Sequence, residues 1–273
     1  MTVDEAGRHE PKSTLQAMDV HSVWSRQFRG GENNRFYGLA FDYIAEKFGD
    51  PTTYSVLDAG CGSGTKSLEL ARRGYSVLAI DFSAAVLNLA RHEASKLDFA
   101  DRITFARGDL TDLQIPTASV HRAVCWGVLM HVPDISKAVA ELARIMAPGG
   151  LLIISEGNKD SMQAVGLRWL KRLLKKERAE VIHTPAGLEF WEPTEAGRLM
   201  TRQADVAWLT GEFNRNGVDL IEKRAGQFTE IYILLPWRFL RRVVHGFNNL
   251  WFRFPRWPGP AYGNLLVLRK RAD

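Results

Sequence analysis

The residues best suited to chemistry lie in one short segment, where three glycines follow an aspartate. An apolar strand ends in Asp58, and Gly60, Gly62 and Gly64 occupy alternate positions before a helical stretch. Glycine has no Cβ and accepts positive φ, so such a turn lets a ligand lie against the backbone. A strand, a glycine turn and a helix N-terminus form the nucleotide-binding corner of a doubly wound α/β sheet. Asp58 would repel a pyrophosphate there, but it favours a ligand with an amino group and a positive sulfonium.

Two further acids follow later apolar strands. Asp81 comes about twenty residues after the glycines, at the position where an acid binds a ribose diol. Asp109 follows a third strand, where it can accept a hydrogen bond from an adenine amine. An NAD-binding protein shares the second-strand acid, but its glycines follow the spacing G-x-G-x-x-G. A P-loop is also disfavoured, because Thr65 stands where the pattern G-K-[ST] needs glycine.

Five short motifs follow one another between residues 34 and 156. They are Val56-Leu-Asp-Ala-Gly-Cys-Gly-Ser-Gly64, Ala79-Ile-Asp-Phe-Ser83, Gly108-Asp-Leu110, Cys125-Trp-Gly-Val-Leu-Met-His-Val-Pro-Asp134 and Ala147-Pro-Gly-Gly150. In type and order they resemble the motifs of class I S-adenosylmethionine-dependent methyltransferases. The resemblance implies an α/β fold with a Rossmann-like doubly wound, mostly parallel seven-stranded sheet and C-terminal cap insertions. It also implies S-adenosyl-L-methionine as the cofactor.

The same resemblance implies which residues bind the cofactor. The glycines are expected at the methionine end, Asp81 at the ribose and Asp109 at the adenine. The full predicted set is Asp58, Gly60, Cys61, Gly62, Gly64, Asp81, Phe82, Asp109, Leu110, Trp126 and Gly127. Ordinary core packing is the alternative for Phe82, and a plain turn is the alternative for Gly127. No metal site is predicted.

His131 is the candidate catalytic base, because it follows the fourth strand on the side where the methyl group is expected. The alternative is that it only packs near the cofactor or caps a turn. His183, Glu189 and Glu192 are interpreted as solvated polar residues rather than bases. Three N-terminal residues belong to a segment that folds over the cofactor in related proteins, with no role assigned: Trp24, Arg35 and Tyr37.

Strand and helix patterns alternate regularly through the motif region, which favours a mostly parallel sheet covered on both faces. An amphipathic helix is predicted over Asn34–Phe48. Predicted strands are Tyr54–Leu57, Ser76–Ile80, Arg102–Ala106, His121–Cys125 and Leu151–Ser155, and predicted helices are Lys66–Arg73, Ser83–Lys96 and Ile135–Met146. Val218–Ile221 and Asn264–Leu268 are the expected antiparallel strand pair that closes the sheet. Residues 1–273 are then one domain, with a cofactor-binding core at 34–156 and cap or acceptor-binding insertions at 157–214 and 231–262.

Composition is that of a soluble protein with a sizeable core, since 45% of the 273 residues are apolar. The N-terminus lacks the pattern of a signal peptide, and no apolar run approaches the ~18 residues of a membrane span. Cys61 and Cys125 lack metal-ligand spacing and are expected to be buried thiols. A cytoplasmic location is therefore expected.

Two segments combine basic and aromatic residues, 166–178 and 237–252. From Ile231 to Asp273 there are eight Arg or Lys residues against one acid. Such segments can form a lid on the sheet, lie at a membrane surface or bind nucleic acid. A lid is the first interpretation, peripheral membrane contact is the second, and nucleic acid is disfavoured because no RNA-binding module is present.

The sequence therefore predicts an S-adenosylmethionine-dependent methyltransferase. The expected reaction is in-line methyl transfer to a hydroxyl of a small-molecule, glycan or lipid-linked acceptor. N-methylation and RNA or protein methylation are the enzymatic alternatives. The non-enzymatic alternative is a pseudoenzyme scaffold that binds the cofactor or a membrane.

Overall fold

The computed structural model describes residue 14 and residues 31–174, 180–194 and 197–272. Its strands are β1 (Val56–Ala59), β2 (Val77–Asp81), β3 (Ile103–Arg107), β4 (Val120–Trp126), β5 (Met146–Gly157), β6 (Glu180–Thr184), β7 (Gly187–Thr194), β8 (Gly197–Ala204), β9 (Val218–Ala225) and β10 (Gly263–Lys270). Its α-helices are α1 (Gly31–Phe48), α2 (Thr65–Arg72), α3 (Ala84–Ala94), α4 (Ile135–Ile145), α5 (Met162–Leu173), α6 (Val206–Arg215) and α7 (Arg238–Arg253). Short 3-10 helices occupy Ala100–Arg102, Leu129–His131 and Ile231–Leu234.

Seven strands form the main sheet, in the order β3-β2-β1-β4-β5-β10-β9. The first five are parallel, while β10 pairs antiparallel with both β5 and β9. The fold class is thus confirmed, including the predicted strands at Val218–Ile221 and Asn264–Leu268. Strand order reverses between β1 and β4, and open α/β sheets bind ligands at such a switch point.

Helices cover both faces of this sheet because successive strand residues point to opposite sides. Ile153 contributes to the core under α1, α2, α3 and α7, whereas Ile154 contributes to the core under α4 and α6. The helices begin at side-chain caps: the Ser83 hydroxyl accepts from Val86 N, and the Asp134 carboxylate accepts from Lys137 N. Each cap satisfies a backbone N–H that has no partner inside the helix.

Strands β6, β7 and β8 form a separate antiparallel sheet that the sequence did not predict as strands. Thr184 and Gly187 pair at the tight connection between β6 and β7. This small sheet lies within the predicted 157–214 insertion, but α6 at its end packs Leu209 and Phe213 into the main core. Within the described ranges, no helix has the length and apolar character needed to cross a bilayer.

Hydrogen bonds join α5 and α7 through one residue of the connection between β9 and α7. Thr229 N donates to Asn248 Oδ1 of α7 at 3.1 Å, and Asn248 Nδ2 donates to Thr229 O at 2.8 Å. Gln163 Oε1 of α5 accepts from Thr229 Oγ1 at 2.5 Å and from Glu230 N at 2.7 Å. The two outer helices therefore fix the backbone at Thr229 and Glu230.

Candidate active site

A cavity of about 480 Å³ follows the carboxyl edge of the main sheet. Its lining residues come from the ends of β1 and β2, the segment after β3, and the ends of β4 and β5. Tyr262 and Gly263, at the start of β10, and Glu230, after β9, complete the other side. This volume lies within the ~300–1,000 Å³ range of small-molecule sites. The cavity therefore crosses the topological switch point.

The glycine loop forms the cavity wall after β1. Gly60 has φ +81°, and a Cβ there would lie 2.5 Å from Val128 Cγ1, so only glycine fits this position. At Gly62 a Cβ would meet no heavy atom within 4 Å, so its backbone borders open space. Gly62 N donates to Asp81 Oδ2 at 2.9 Å, which ties the loop to the end of β2. The loop thus presents bare backbone to the cavity, as the sequence predicts.

Asp81 and Asp109 both line the cavity, at one end of it. Asp81 Oδ1 also accepts from Ser83 N at 2.9 Å, and Asp109 Oδ1 accepts from Thr111 N and Thr111 Oγ1. The predicted residues Cys61, Phe82 and Leu110 line the same end.

Two predicted cofactor residues lie behind the wall instead. Asp58 is only 1% exposed, does not line the cavity, and accepts from Ser67 Oγ at 2.5 Å. Burial raises the pKa of the Asp58 carboxyl to about 6, against the lowering effect of the Ser67 bond. Gly64 is the N-cap of α2, and a Cβ there would lie 3.2 Å from Ala90. The geometry assigns both residues to shaping the loop, with no direct contact to the cavity.

Aromatic residues enclose the middle of the cavity, where β4 ends. Trp126 stacks on Phe41 of α1 at a centroid distance of 5.4 Å and meets Tyr37 edge-on at 5.9 Å. Lys66 Nζ lies 3.5 Å from the centroid of the Tyr37 ring, a cation–π contact. Gly127 lines the cavity in a left-handed turn, with φ +65°. Arg35 is exposed, and Trp24 lies outside the described residues.

His131 lines the cavity just beyond this aromatic group, in the 3-10 helix after β4. Its Nδ1 lies 2.9 Å from the backbone oxygen of Met200 in β8. A carbonyl oxygen can only accept a hydrogen bond, so Nδ1 carries a proton. In the neutral ring the basic nitrogen is then Nε2. The small sheet therefore sets the tautomer of the candidate base.

Arg202 of β8 holds the segment that carries His131. It is 1% exposed and donates to the backbone oxygens of Leu129, Val132 and Pro133. Its guanidinium also pairs with Glu189 Oε1 at 2.7 Å. The interpretation of Glu189 as a solvated residue is therefore wrong, because this carboxylate neutralises a buried arginine. His183 and Glu192 are exposed, as expected.

Similar proteins can now be compared with this geometry. A family model described as "Methyltransferase domain" matches residues 57–154. A ubiquinone biosynthesis O-methyltransferase from Alkalilimnicola ehrlichii is 32% identical over 175 residues, which cover 62% of this chain and 66% of the relative. A protein of the same name from Xanthomonas oryzae pv. oryzae is 31% identical over 210 residues, which cover 75% of this chain and 76% of the relative. The chain belongs to the class I S-adenosylmethionine-dependent methyltransferases.

The fold of this methyltransferase also occurs in solved relatives. Magnesium protoporphyrin IX methyltransferase from Synechocystis PCC 6803, solved with bound SAH, aligns with a TM-score of 0.58 at 17% identity. The alignment covers 90% of this chain and 92% of that chain. At this identity the likeness shows the shared fold.

S-adenosylmethionine is the cofactor of the methyltransferase, and the residues present fit it. Asp81 would hold the ribose hydroxyls, and Phe82, Asp109 and Leu110 would surround the adenine. The open backbone at Gly62 leaves room for the methionine end beside Trp126. Four carboxyl groups and one lysine line the cavity, namely Asp81, Asp109, Glu156, Glu230 and Lys66. A ligand with a positive sulfur would favour the ionised form of these carboxyl groups.

Glu156, Glu230 and Tyr262 are among the cavity residues of the methyltransferase that were not predicted from the sequence. Glu156 ends β5, and the carboxyl end of a parallel strand is a recognisable signal for a site residue. Glu230 and Tyr262 belong to no motif, and only the fold brings them to the cavity. Cys61 and Cys125 are free and buried, as predicted, and burial raises the pKa of both thiols.

Proposed function

We propose that this methyltransferase transfers a methyl group to a hydroxyl oxygen of a small-molecule, glycan or lipid-linked acceptor. The observation that carries the proposal is the placement of His131 at the cavity wall after β4, with its Nδ1 held by the Met200 carbonyl. The cofactor residues lie on the β1–β3 side, so the β5–β10 side receives the acceptor. The names of the two relatives support oxygen as the methylated atom.

The protein's own contribution is mainly positioning. S-adenosylmethionine supplies a methyl group on a positively charged sulfur, so its leaving group needs no proton. Trp126 and Tyr37 hold the two reactants together at the middle of the cavity, and correct alignment is worth up to ~7–11 kcal/mol of the barrier. His131 takes the proton of the acceptor hydroxyl at Nε2, which contributes about 10²–10⁴-fold. Burial around the aromatic group excludes water from the reacting atoms.

The test is a methylation assay with a panel of phenols and alcohols. Turnover is monitored by the formation of S-adenosylhomocysteine. Mass-spectrometric fragmentation then locates the methyl group on the product. A methyl group on oxygen supports the proposal, whereas a methyl group only on nitrogen replaces it with N-methylation. Cofactor uptake without turnover of any acceptor would favour the scaffold alternative.

We also propose peripheral membrane contact through α5 and α7, which include the described parts of segments 166–178 and 237–252. Residues 175–178 lie outside the described residues. Exposed apolar side chains follow one face of each helix: Met162, Val165, Trp169 and Leu173 on α5, and Phe239, Val243, Phe247 and Leu250 on α7. Trp169 is 66% exposed and Phe239 is 73% exposed. Basic helices with exposed aromatic residues bind anionic lipid surfaces.

The position of α7 disfavours the lid interpretation. No residue of 237–252 lines the cavity, and α7 instead packs Phe252 against Phe36 and Tyr43 of α1. On the opposite face, Phe239, Val243, Phe247 and Leu250 form an exposed apolar stripe. This arrangement supports a surface role for α7.

Co-sedimentation with vesicles rich in an anionic phospholipid tests the membrane proposal. Arg238 and Arg242 are exposed on α7, whereas Arg241 donates to the Leu235 backbone oxygen and is left unchanged. We expect the double variant R238E/R242E to lose most binding, and the wild type to lose it at high salt. The control is R215E, which changes an exposed arginine on α6. Equal binding of both variants, or salt-independent binding, contradicts the proposal.

A further inference from the structure

The acceptor side of the cavity contains two carboxyl groups that the proposed reaction does not use. Glu156 ends β5 and Glu230 precedes the 3-10 helix Ile231–Leu234, and both line the cavity. They lie across β4 from Asp81 and Asp109, so they are separate from the predicted ribose and adenine contacts.

One carboxyl oxygen of Glu156 accepts hydrogen bonds, and the other has no hydrogen-bond partner. The side chain is 3% exposed, and its Oε1 accepts from Val128 N at 3.2 Å and Leu129 N at 2.9 Å. Its Oε2 is buried and has no hydrogen-bond partner. A buried polar atom without a partner costs about 1–3 kcal/mol, and more for a charged group. The unpaired oxygen therefore points to a ligand that completes it.

Glu230 has no partner for its carboxyl group among the described residues, although its backbone N–H is bonded to Gln163. Burial raises the pKa of this carboxyl to about 7, and no cation among the described residues is recorded as lowering it. Burial and, to a smaller extent, the charge of Glu230 raise the pKa of the hydroxyl groups of Tyr37 and Tyr262, and all three residues line the cavity. The fixed backbone at Thr229 and Glu230 keeps this group at the cavity wall.

The cationic residues that line the cavity lie elsewhere. Lys66 extends from α2 over the Tyr37 ring, and its charge acts on Asp58. The guanidinium of Arg202 acts on Glu156 from behind the His131 segment, where it is already paired with Glu189. The wall around Glu230 and Glu156 thus holds two buried carboxyl groups and two tyrosine hydroxyls. Burial favours the protonated form of both carboxyls in the empty cavity, and a ligand cation would favour their ionised form. A ligand carboxylate or phosphate would form no such ion pair.

We infer that the acceptor of this methyltransferase carries a protonated amine, which is bound by Glu230 and Glu156 at the β5–β10 end of the cavity. The inference rests on the proposed function, because it assigns this end of the cavity to the acceptor. The ammonium group donates hydrogen bonds to the two carboxylates. The hydroxyl to be methylated then lies toward His131 and Trp126. The acceptor is accordingly a small amino alcohol or aminophenol-type compound rather than an acid.

Three phenols of similar shape test the inference: tyramine with an ammonium group, 4-ethylphenol with no charge, and 4-hydroxyphenylacetate with a carboxylate. Their binding to the protein saturated with S-adenosylhomocysteine is measured by titration calorimetry. We expect tyramine to bind at least about tenfold more tightly than 4-ethylphenol, and 4-hydroxyphenylacetate to bind most weakly, because a buried charge pair is involved. In E230Q and in E156Q the advantage of tyramine over 4-ethylphenol should fall to about twofold or less.

The matched control is E192Q, which removes the same charge from an exposed position outside the cavity and should keep the tyramine preference. Affinity for S-adenosylhomocysteine is measured in the same titrations and should be unchanged in all three variants. Equal binding of the three phenols, preference for the carboxylate, no binding of any phenol, or a tyramine preference that survives both cavity variants overturns the inference. Loss of S-adenosylhomocysteine affinity in E230Q also overturns it, because Glu230 would then serve the cofactor. Failure of the wild type to bind S-adenosylhomocysteine would instead refute the proposed function.

Discussion

Asp58 and Asp81 end neighbouring strands, yet only Asp81 reaches the cavity. The difference lies in their partners. Asp58 is buried against Ser67 of α2, whereas Asp81 bonds two backbone N–H groups and still faces open space. A strand-end carboxylate is therefore a good signal for a site, but its exact role depends on which neighbours bury it.

Replacing Asp81 with alanine should weaken cofactor binding at least about tenfold, equivalent to about 1.4 kcal/mol. The change removes the expected ribose acceptor and also the anchor of Gly62 N. Titration calorimetry with S-adenosylhomocysteine measures the effect. D98A is the control, because Asp98 is exposed and lies outside the cavity. Unchanged affinity in D81A would remove the ribose assignment.

Replacing His131 with glutamine should lower kcat about 10²-fold or more if Nε2 accepts the hydroxyl proton. Cofactor affinity should change little, because the predicted ribose and adenine contacts lie on other strands. Steady-state kinetics with an O-methylated acceptor, combined with calorimetry, separates the two effects. Equal losses in kcat and in cofactor affinity would indicate that His131 only packs against the cofactor.

At the level of secondary structure, the small sheet positions the segment after β4. Strand β8 supplies both the Met200 carbonyl that bonds His131 and the arginine that bonds three backbone oxygens beyond it. The main sheet thus provides the cofactor corner, and the inserted sheet provides the orientation of the candidate base.

Replacing Arg202 with methionine should destabilise the protein by about 3–5 kcal/mol, because it leaves the half-buried Glu189 carboxylate without the buried cation that pairs with it. The same change removes the hydrogen-bond donor of the Leu129, Val132 and Pro133 backbone oxygens. Because these residues hold the segment that carries His131, we also expect a lower kcat. Urea denaturation gives the stability difference. The control is R215M, which breaks an exposed pair with Glu212 and should cost no more than about 1 kcal/mol. A loss in R202M no larger than in R215M would contradict the structural role.

The sequence was most informative where local pattern and core packing agree. The five parallel strands overlap the predicted ones, and β1 and β2 are apolar runs with an acid at or near their ends, so their positions could be predicted. Strands β6–β8 were missed because they include the buried Arg202 and the half-buried Glu189, which look like surface residues when read singly. Their partners are distant in the chain, and only the folded structure shows that the charges cancel.

At the scale of the whole molecule, the site divides along the sheet. The cofactor side could be predicted from motifs, since backbone turns and strand-end acids leave a local signature. The acceptor side could not, because Glu156, Glu230 and Tyr262 come from three separate parts of the chain. No spacing rule connects residues that meet only after β9 and β10 join the sheet.

Stability should fall as pH rises from about 5 to about 8, and E156Q should weaken this dependence. Burial raises the pKa of Glu156 to about 8, so the folded protein keeps a proton that the unfolded chain releases above its ordinary pKa near 4.5. The folded state binds more protons across this range, and ΔG of unfolding therefore decreases with pH. Thermal unfolding at pH 5 to 9 measures the slope, with E192Q as the control. An identical slope in wild type and E156Q would exclude Glu156 as its source.

The hydrogen bonds that converge on Thr229 give the enzyme an unexpected mechanical property. Gln163 belongs to α5 and Asn248 to α7, and both form hydrogen bonds with the chain at Thr229 and Glu230. A mutation that shifts α5 or α7 is therefore expected to shift Glu230 in the cavity wall as well. Substitutions that change the outer surface of these two helices are for this reason expected to change acceptor binding too.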